Sequence, residues 1–128
     1  MPELKKYQMF IDGQWVDSDT KKTFETLNPE NNKPWAVVPE ASANDVDRAV
    51  KAAQKAFEGE WPKMLARDRA KYLRAIGNKL RENSELLGKI ETIDTGKLYR
   101  ETYQQAKYIA EYYDYYAGLA DKVEGTVL

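Results

Sequence analysis

Two carboxylates near the end of the chain stand at a spacing that could support acid–base chemistry. Glu111 and Asp114 are three residues apart in a segment with helical periodicity, so both side chains can face the same way. A di-metal carboxylate site would also need histidines from Glu-x-x-His motifs, and the sequence contains no histidine. The two carboxylates could also serve as the acid and base of a glycosidase, because such enzymes use a pair of Asp or Glu residues. The residue types alone do not exclude this role. A solvated helix face is the favoured interpretation.

Tyrosine dominates the same segment, because seven of the nine tyrosines lie between Tyr99 and Tyr116. Four of them follow the i, i+4, i+7, i+8 spacing of one helix face: Tyr108, Tyr112, Tyr115 and Tyr116. A stripe with this spacing is typical of a core face. Ile109 and Tyr113 extend it beyond one face, so the helix needs burial on more than one side. We predict that more of the same polypeptide, or a second copy, covers it.

Several common kinds of site are excluded by residue type. The sequence has no cysteine and no histidine, which excludes disulfides, zinc sites built from these residues, thiol nucleophiles, and Ser-His or Cys-His catalysis. Gly96-Lys97 resembles part of a phosphate-binding loop, but Glu91 and Leu98 stand where that motif needs glycine and serine or threonine. No G-x-G-x-x-G dinucleotide fingerprint occurs. The sequence therefore predicts no catalytic residue of these kinds and no dinucleotide-binding loop.

The charge balance favours neither nucleic acid nor a membrane as a partner. Lys and Arg number 20 against 21 Asp and Glu, which gives a formal net charge of −1. Such a near-neutral chain has no electrostatic attraction for phosphate backbones or anionic lipids. Neither a signal peptide nor an apolar run long enough to span a bilayer is visible. We expect a cytoplasmic protein that binds neither nucleic acid nor membrane.

The first 40 residues predict strands and turns. The segment Tyr7-Gln8-Met9-Phe10-Ile11 is followed by Asp12-Gly13, the dipeptide most typical of a hairpin turn. Residues 23–27 alternate in polarity before an Asn-Pro turn, and residues 34–39 form a short apolar run. We predict two or three short antiparallel strands, too few to be stable without support from another element.

From Ser42 onward the apolar period becomes that of a helix. Ser42 and Asp45 match a capping box, with Asp in place of the usual Glu or Gln, and Gly59 stands where a left-handed cap is expected. A second helix is predicted from near Leu65, and Ser84 is predicted to cap a third.

The third helix is predicted to end at residues 95–97, and a long fourth helix follows over residues 98–119. Because strands precede helices, the predicted fold class is α+β and mainly helical, with about four helices. We predict one unit over residues 1–128. Its parts are a strand and hairpin lead-in over 1–40, a helical region over 42–120, and the start of a further strand over 121–128.

Several segments match one family in order and spacing, from Tyr7 to the last residue. They are Phe10-Ile11-Asp12-Gly13-Gln14-Trp15-Val16, Thr23-Phe24-Glu25-Thr26-Leu27-Asn28-Pro29, Ala49-Val50-Lys51-Ala52-Ala53-Gln54-Lys55-Ala56-Phe57, Glu91-Thr92-Ile93-Asp94-Thr95-Gly96-Lys97 and Tyr115-Tyr116-Ala117-Gly118. The sequence resembles the N-terminal part of NAD(P)-dependent aldehyde dehydrogenases, with the betaine-aldehyde branch among the most similar.

The resemblance implies a partial aldehyde dehydrogenase fold and a fragment of a larger subunit. The parent enzyme would oxidise an aldehyde to a carboxylic acid with NAD or NADP. In this family the oxyanion asparagine, the cofactor loops, the general-base glutamate and the nucleophilic cysteine all come later in the chain. We therefore expect this chain alone to be catalytically inactive and to bind no cofactor, with the remainder of the subunit as its partner.

Two sites are also implied by the resemblance. Many members hold a monovalent cation, K⁺ or Na⁺, with backbone carbonyls near the Asn-Pro turn and the aspartate of the Asp-Thr-Gly-Lys segment. The matching positions are Thr26, Leu27 and Asp94. The alternative is that Asp94 only satisfies backbone donors at its helix end. The family's long helix also borders the aldehyde tunnel, and the positions that match its wall are Tyr108, Ile109 and Tyr112.

A second interpretation of the chain stays open. The tyrosine-rich helix could belong to a free-standing module that binds another protein or associates with itself as a homo-oligomer.

Overall fold

The structure is a computed structural model that describes residues 4–122 and 124–125. Their contacts form two compact units. The first contains the residues up to Pro62 together with Ile93–Thr95, and the second contains Lys63–Thr92 and the residues from Gly96 onward. Strands precede helices and helices predominate, so the predicted α+β class is confirmed. The single unit over residues 1–128 stays a prediction.

Five strands occur in the part of the chain that the structure describes. They are β1 (Lys5–Lys6), β2 (Met9–Ile11), β3 (Gln14–Val16), β4 (Thr23–Asn28) and β5 (Lys33–Pro39). Strands β2 and β3 form the predicted antiparallel hairpin, with Asp12 and Gly13 at φ values of 51° and 78° in its turn. Strands β4 and β5 are also antiparallel and belong to a three-stranded sheet with the order β1-β5-β4.

Strand β1 corrects the expectation that all the strands are antiparallel. It runs parallel to β5, with Lys5 opposite Ala36 and Lys6 opposite Val37. Two adjacent lysines show no alternation of apolar and polar residues, so the sequence pattern could not indicate this strand. Strand β5 is consequently paired on both sides, and Ala36 in its middle has no exposed surface.

Four α-helices follow among the described residues: α1 (Ala43–Glu58), α2 (Ala66–Glu82), α3 (Ser84–Thr95) and α4 (Tyr99–Leu119). The capping box at the start of α1 is confirmed. The Ser42 hydroxyl accepts from the Asp45 backbone N–H at 3.1 Å, and the Asp45 carboxylate accepts from the Ser42 backbone N–H at 3.0 Å. Gly96, at a φ of 75°, is the left-handed residue that ends α3.

Two predicted helix caps are wrong. Gly59 has a φ of −85° and is not left-handed. A Cβ atom there would lie 2.9 Å from the Lys55 carbonyl oxygen, so space explains the glycine at this position. Asn83, and not Ser84, is the residue that precedes α3, and the Ser84 hydroxyl instead donates to the Arg81 carbonyl at 2.9 Å.

The buried apolar side chains of the described residues are all alanine. In the second unit, Ala70 of α2 and Ala106, Ala110 and Ala117 of α4 are at most 8% exposed. The predicted tyrosine stripe is therefore not the core face of α4. Small residues form that face because α2 and α4 approach closely, and a Cβ atom at Gly77 would lie 3.1 Å from the Ala110 carbonyl oxygen.

Large apolar side chains of the helices are exposed in the part of the chain that the structure describes. Val50 and Phe57 of α1 are 61% and 68% exposed, and Tyr115 of α4 is 62% exposed. None of the described helices combines the length and apolar character needed to cross a bilayer. Of the strand predicted to start over residues 121–128, residues 121, 122, 124 and 125 are described and form no strand, and the other four lie outside the described residues.

Candidate functional site

Asp94, in the last turn of α3, joins that turn to the three-stranded sheet within the first unit. Its Oδ1 accepts a hydrogen bond from the Thr26 hydroxyl at 2.6 Å and another from the Trp35 indole N–H at 3.2 Å. Thr26 lies in β4 and Trp35 in β5. The structure thus brings together two of the three predicted cation ligands. Both donors to Asp94 are side chains, whereas the alternative interpretation expected backbone donors.

Leu27, the third predicted ligand, follows Thr26 at an irregularity in the sheet. The register between β4 and β5 shifts between Thr26 and Leu27, and Leu27 stands opposite Pro34. Proline has no N–H, so Pro34 cannot donate a hydrogen bond to β4. A register shift of this kind interrupts the regular backbone hydrogen bonds between two strands. The backbone carbonyls at the shift are therefore less regularly paired than those elsewhere in the strand.

The donor set at this place suits an alkali cation. Hard cations prefer carboxylate and carbonyl oxygens, which Asp94, Thr26 and Leu27 can supply. Oδ2 of Asp94 accepts no hydrogen bond from any described residue, so this oxygen is available. Among the same residues, no group of three or more acidic side chains could hold a more highly charged metal.

A groove of about 350 Å³ lies along α4 in the second unit. Its walls include Tyr108 and Tyr112, whose rings meet edge to face with centroids 5.0 Å apart. Their hydroxyl oxygens are 2.9 Å apart, and this hydrogen bond raises the pKa of Tyr112 above that of an ordinary phenol. The other lining residues are Glu111, Tyr115 and Tyr116. Aromatic faces beside a carboxylate can bind an organic cation.

The lining of the groove differs from the predicted tunnel wall at four positions, namely Ile109, Glu111, Tyr115 and Tyr116. Ile109, predicted with Tyr108 and Tyr112, is 38% exposed but does not line the groove. Glu111 lines the groove, although its spacing in the sequence suggested only a pairing with Asp114. Asp114 instead forms an ion pair with Arg81 of α2. Helical spacing could have identified Glu111, because it lies three residues after Tyr108.

Comparison with known proteins identifies the family. The sequence model of the aldehyde dehydrogenase family matches residues 15–128. This chain belongs to the aldehyde dehydrogenase family.

Individual relatives agree with this assignment. The chain is 40% identical over 126 residues to the (Z)-2-((N-methylformamido)methylene)-5-hydroxybutyrolactone dehydrogenase of Acinetobacter baylyi, and the match covers 98% of this chain and 25% of that protein. It is 42% identical over 128 residues to the mitochondrial aldehyde dehydrogenase family 2 member B4 of Arabidopsis thaliana, covering 98% and 24%. The relatives thus include one that is named as mitochondrial and another, from Xenopus tropicalis, that is named as cytosolic. Because the two names differ in location, the cytoplasmic location of this chain stays a prediction.

Solved structures share the fold. The NAD-dependent aldehyde dehydrogenase from Sinorhizobium meliloti superposes with a TM-score of 0.91 at 32% identity, over 97% of this chain and 25% of that one. Betaine aldehyde dehydrogenase from Staphylococcus aureus, in complex with NAD⁺, superposes with a TM-score of 0.88 at 42% identity, over 94% and 24%. The partial aldehyde dehydrogenase fold is confirmed, and the chain spans about a quarter of the length of these proteins.

Proposed function

We propose that this chain forms part of the framework of an NAD(P)-dependent aldehyde dehydrogenase, which oxidises an aldehyde to a carboxylic acid. In this proposal, NAD or NADP and the reacting thiol are held by residues outside the chain. The observation that carries the proposal is the exposure of large apolar side chains in a member of this family. We also propose a cytoplasmic location, with neither nucleic acid nor a membrane as partner.

The exposed faces lie on several helices. Phe57 of α1 is 68% exposed, Leu86 of α3 is 53% exposed and Tyr115 of α4 is 62% exposed. Burial of apolar surface contributes about 25 cal/mol per Å², so a cover for these faces would stabilise the helices considerably. Surfaces of this kind mark interaction sites. We propose that the remainder of a dehydrogenase subunit, which the longer relatives possess, supplies this cover.

The purified 128-residue chain is expected to be inactive, because without cysteine it has no thiol to attack an aldehyde carbon. The test incubates the chain with betaine aldehyde or acetaldehyde and NAD or NADP, and measures the absorbance of the reduced nicotinamide. The complete Staphylococcus aureus enzyme serves as positive control. Reduced nicotinamide formed in proportion to the amount of this chain would refute the proposal.

We propose that Thr26 and Leu27, through backbone carbonyls, and Asp94, through its carboxylate, hold K⁺ or Na⁺. The ion would supply positive charge that fixes the end of α3 against the sheet. The expected result is that K⁺ raises the unfolding midpoint above that in tetramethylammonium at equal ionic strength, because ligand binding to the folded state stabilises it. Asp94→Asn should abolish the difference. Asp47→Asn, on the exposed face of α1, should preserve it, and no ion dependence in the unchanged chain would refute the site.

Tyr108, Ile109 and Tyr112 are proposed to face the path of the aldehyde in the complete enzyme. The aromatic rings beside Glu111 support this proposal, because they suit a cationic or apolar aldehyde. Substitution of Tyr112 by Ala in the full-length enzyme should raise the KM for a cationic aldehyde more than that for an apolar one. Equal changes for both would contradict a cation–π contribution.

The alternative function is a free-standing module that associates with itself or another protein, and the exposed tyrosines of α4 also favour it. Size-exclusion chromatography with light scattering separates the two proposals. A homo-oligomer that Tyr115→Glu dissociates, while the surface control Lys79→Glu leaves it intact, would support self-association. A monomer over a wide concentration range would favour the remainder of a subunit as the natural cover.

A further inference from the structure

Trp35 of β5 donates a hydrogen bond from its indole N–H to Oδ1 of Asp94, at 3.2 Å, and the Thr26 hydroxyl donates to the same oxygen at 2.6 Å. Thr26 and Asp94 belong to the proposed cation site, whereas Trp35 is not one of its ligands. We propose that Trp35 is a positioning residue of this site, which holds the Asp94 carboxylate so that Oδ2 contacts the alkali cation. The role of Trp35 rests on the proposed cation site and adds a residue to it.

Trp35 stands at a β-bulge. Thr26 is paired with Ala36, and the next residue of β4, Leu27, is paired with Pro34. Trp35 lies between these two partners, and no residue of β4 stands opposite it. In a regular antiparallel pair, the side chains of Thr26 and Trp35 would face opposite sides of the sheet, because side chains alternate along a strand. A bulge changes the direction of a side chain, so here both can reach the same carboxylate oxygen.

The ring of Trp35 is held by a second aromatic side chain. It meets the Tyr7 ring edge to face, with centroids 6.1 Å apart and planes at 74°. The Tyr7 backbone N–H donates to the Val37 carbonyl of β5 at 2.9 Å, which fixes Tyr7 beside the strand that carries Trp35. The indole N–H is consequently directed at Asp94 before an ion binds, so less ordering is needed on binding.

An aspartate carboxylate does not fix its own orientation, because the torsion angle that turns it is broad. Hydrogen bonds from β4 and β5 restrict this rotation at Asp94. They also occupy the acceptor sites of Oδ1, since a carboxylate oxygen has about two lone-pair sites. Oδ2 accepts no hydrogen bond from any described residue and is therefore the oxygen that is left for a cation.

Loss of the indole N–H would leave the Thr26 hydroxyl as the one side chain that holds Oδ1, and the carboxylate could turn away from the ion. Loss of a hydrogen bond that orients a metal ligand typically lowers metal affinity by about ten- to hundredfold. We expect the lower end of this range, about tenfold, because Thr26 remains as a donor.

The test follows the isotope-labelled 128-residue chain by NMR during titration with KCl and, separately, NaCl, at ionic strength held constant with tetramethylammonium chloride. Saturable shifts are expected for the amides of residues 26, 27 and 94, and the Trp35 indole N–H signal should shift with the same Kd. Trp35→Phe keeps an aromatic ring against Tyr7 and should raise the Kd about tenfold. Because the shifts report the folded chain, a loss of stability alone does not change this Kd.

Trp15→Phe is the matched control, since it removes an indole N–H from an exposed residue of β3 and should leave the Kd unchanged. If the unchanged chain shows no saturable shifts, the cation site and the role of Trp35 are both refuted. If the unchanged chain binds the ion and the two variants bind it equally well, the role of Trp35 alone is overturned. A Trp35 indole signal that stays in place while the amides of residues 26, 27 and 94 shift would also overturn it, without the use of a variant.

Discussion

Gly88 of α3 lies against the backbone of Tyr103 in α4. A Cβ atom at residue 88 would be 2.9 Å from both the backbone N and the Cα of Tyr103. Beside this contact, the fully buried Thr102 donates from its hydroxyl to the Gly88 carbonyl at 2.9 Å. The two helices can be this close only because residue 88 has no side chain.

Gly88→Ala is therefore expected to lower the free energy of unfolding by about 2 kcal/mol, because the added methyl group forces the two backbones apart. Urea unfolding followed by circular dichroism measures the change. Gly118→Ala is the matched control, since no atom lies within 4 Å of a Cβ placed there. This helical substitution should stabilise the protein by up to about 1 kcal/mol. Equal changes in the free energy of unfolding for Gly88→Ala and Gly118→Ala would show that the contact between α3 and α4 at Gly88 tolerates a methyl group.

Asp45→Asn is expected to lower the urea midpoint at neutral pH, because the buried carboxylate accepts from Ser42, Ser18 and Arg48. The pKa of Asp45 lies far below its ordinary value, mainly because its carboxylate accepts the Ser42 backbone hydrogen bond. The hydrogen bonds from Ser18 and Arg48 lower this pKa further. A lowered carboxyl pKa stabilises the fold fully above the unfolded-state pKa of about 4, and this contribution is lost as the pH falls below that value.

The unchanged chain should therefore lose more stability between about pH 5 and pH 2 than the Asp45→Asn variant does. Unfolding midpoints across this pH range provide the measurement. Asp47→Asn, which removes an exposed carboxylate from the same helix, should retain the pH dependence of the unchanged chain. If the unfolding midpoints of Asp45→Asn and Asp47→Asn change equally with pH, the Asp45 carboxylate is not the source of the pH dependence.

Tyr7→Phe is expected to raise the free energy of unfolding by about 1 kcal/mol, because it removes a buried hydroxyl that has no partner. Tyr116→Phe, at an exposed position, should have little effect. Chemical denaturation of both variants compares them. A clear destabilisation by Tyr7→Phe would mean that the hydroxyl is satisfied in solution.

Tyr108→Phe is expected to lower the pKa of Tyr112, because the hydrogen bond that the Tyr112 hydroxyl donates to Tyr108 favours the protonated phenol and raises that pKa. In an alkaline titration, the phenolate of Tyr112 should then form at lower pH than in the unchanged chain. NMR of tyrosine ring carbons resolves the individual groups. Tyr115→Phe should leave the titration of Tyr112 as it was, and an identical titration in Tyr108→Phe would contradict the pairing.

Local signals in the sequence predicted much of the fold. The Asp12-Gly13 hairpin and the Ser42 capping box depend on interactions within a few residues, and both were predicted correctly. Strand β1 was missed because its two lysines pair with β5, which lies about 30 residues away in the sequence. Such a pairing leaves no local trace.

The buried faces of the helices were harder to predict. Periodicity marks large apolar side chains, but Gly77 and Ala110 form the contact between α2 and α4, and small residues give a weak apolar signal. The family resemblance predicted Thr26 and Asp94 as ligands of one cation, but it predicted neither the hydrogen bond between their side chains nor the one from Trp35. Contacts between residues so far apart in sequence depend on tertiary structure.

An alanine-lined interior has a consequence for how this sequence can vary. Ala106, Ala110 and Ala117 are at most 8% exposed, so a larger side chain at any of them would overfill a buried site. These positions should therefore tolerate the fewest replacements in a scan of every substitution. The bulky tyrosines of the same helix should tolerate many replacements as long as the chain is assayed for folding alone. In a full-length dehydrogenase, where we propose that the rest of the subunit covers them, the same tyrosines should rank among the most sensitive sites. The difference between the two substitution maps would then outline the proposed covering surface.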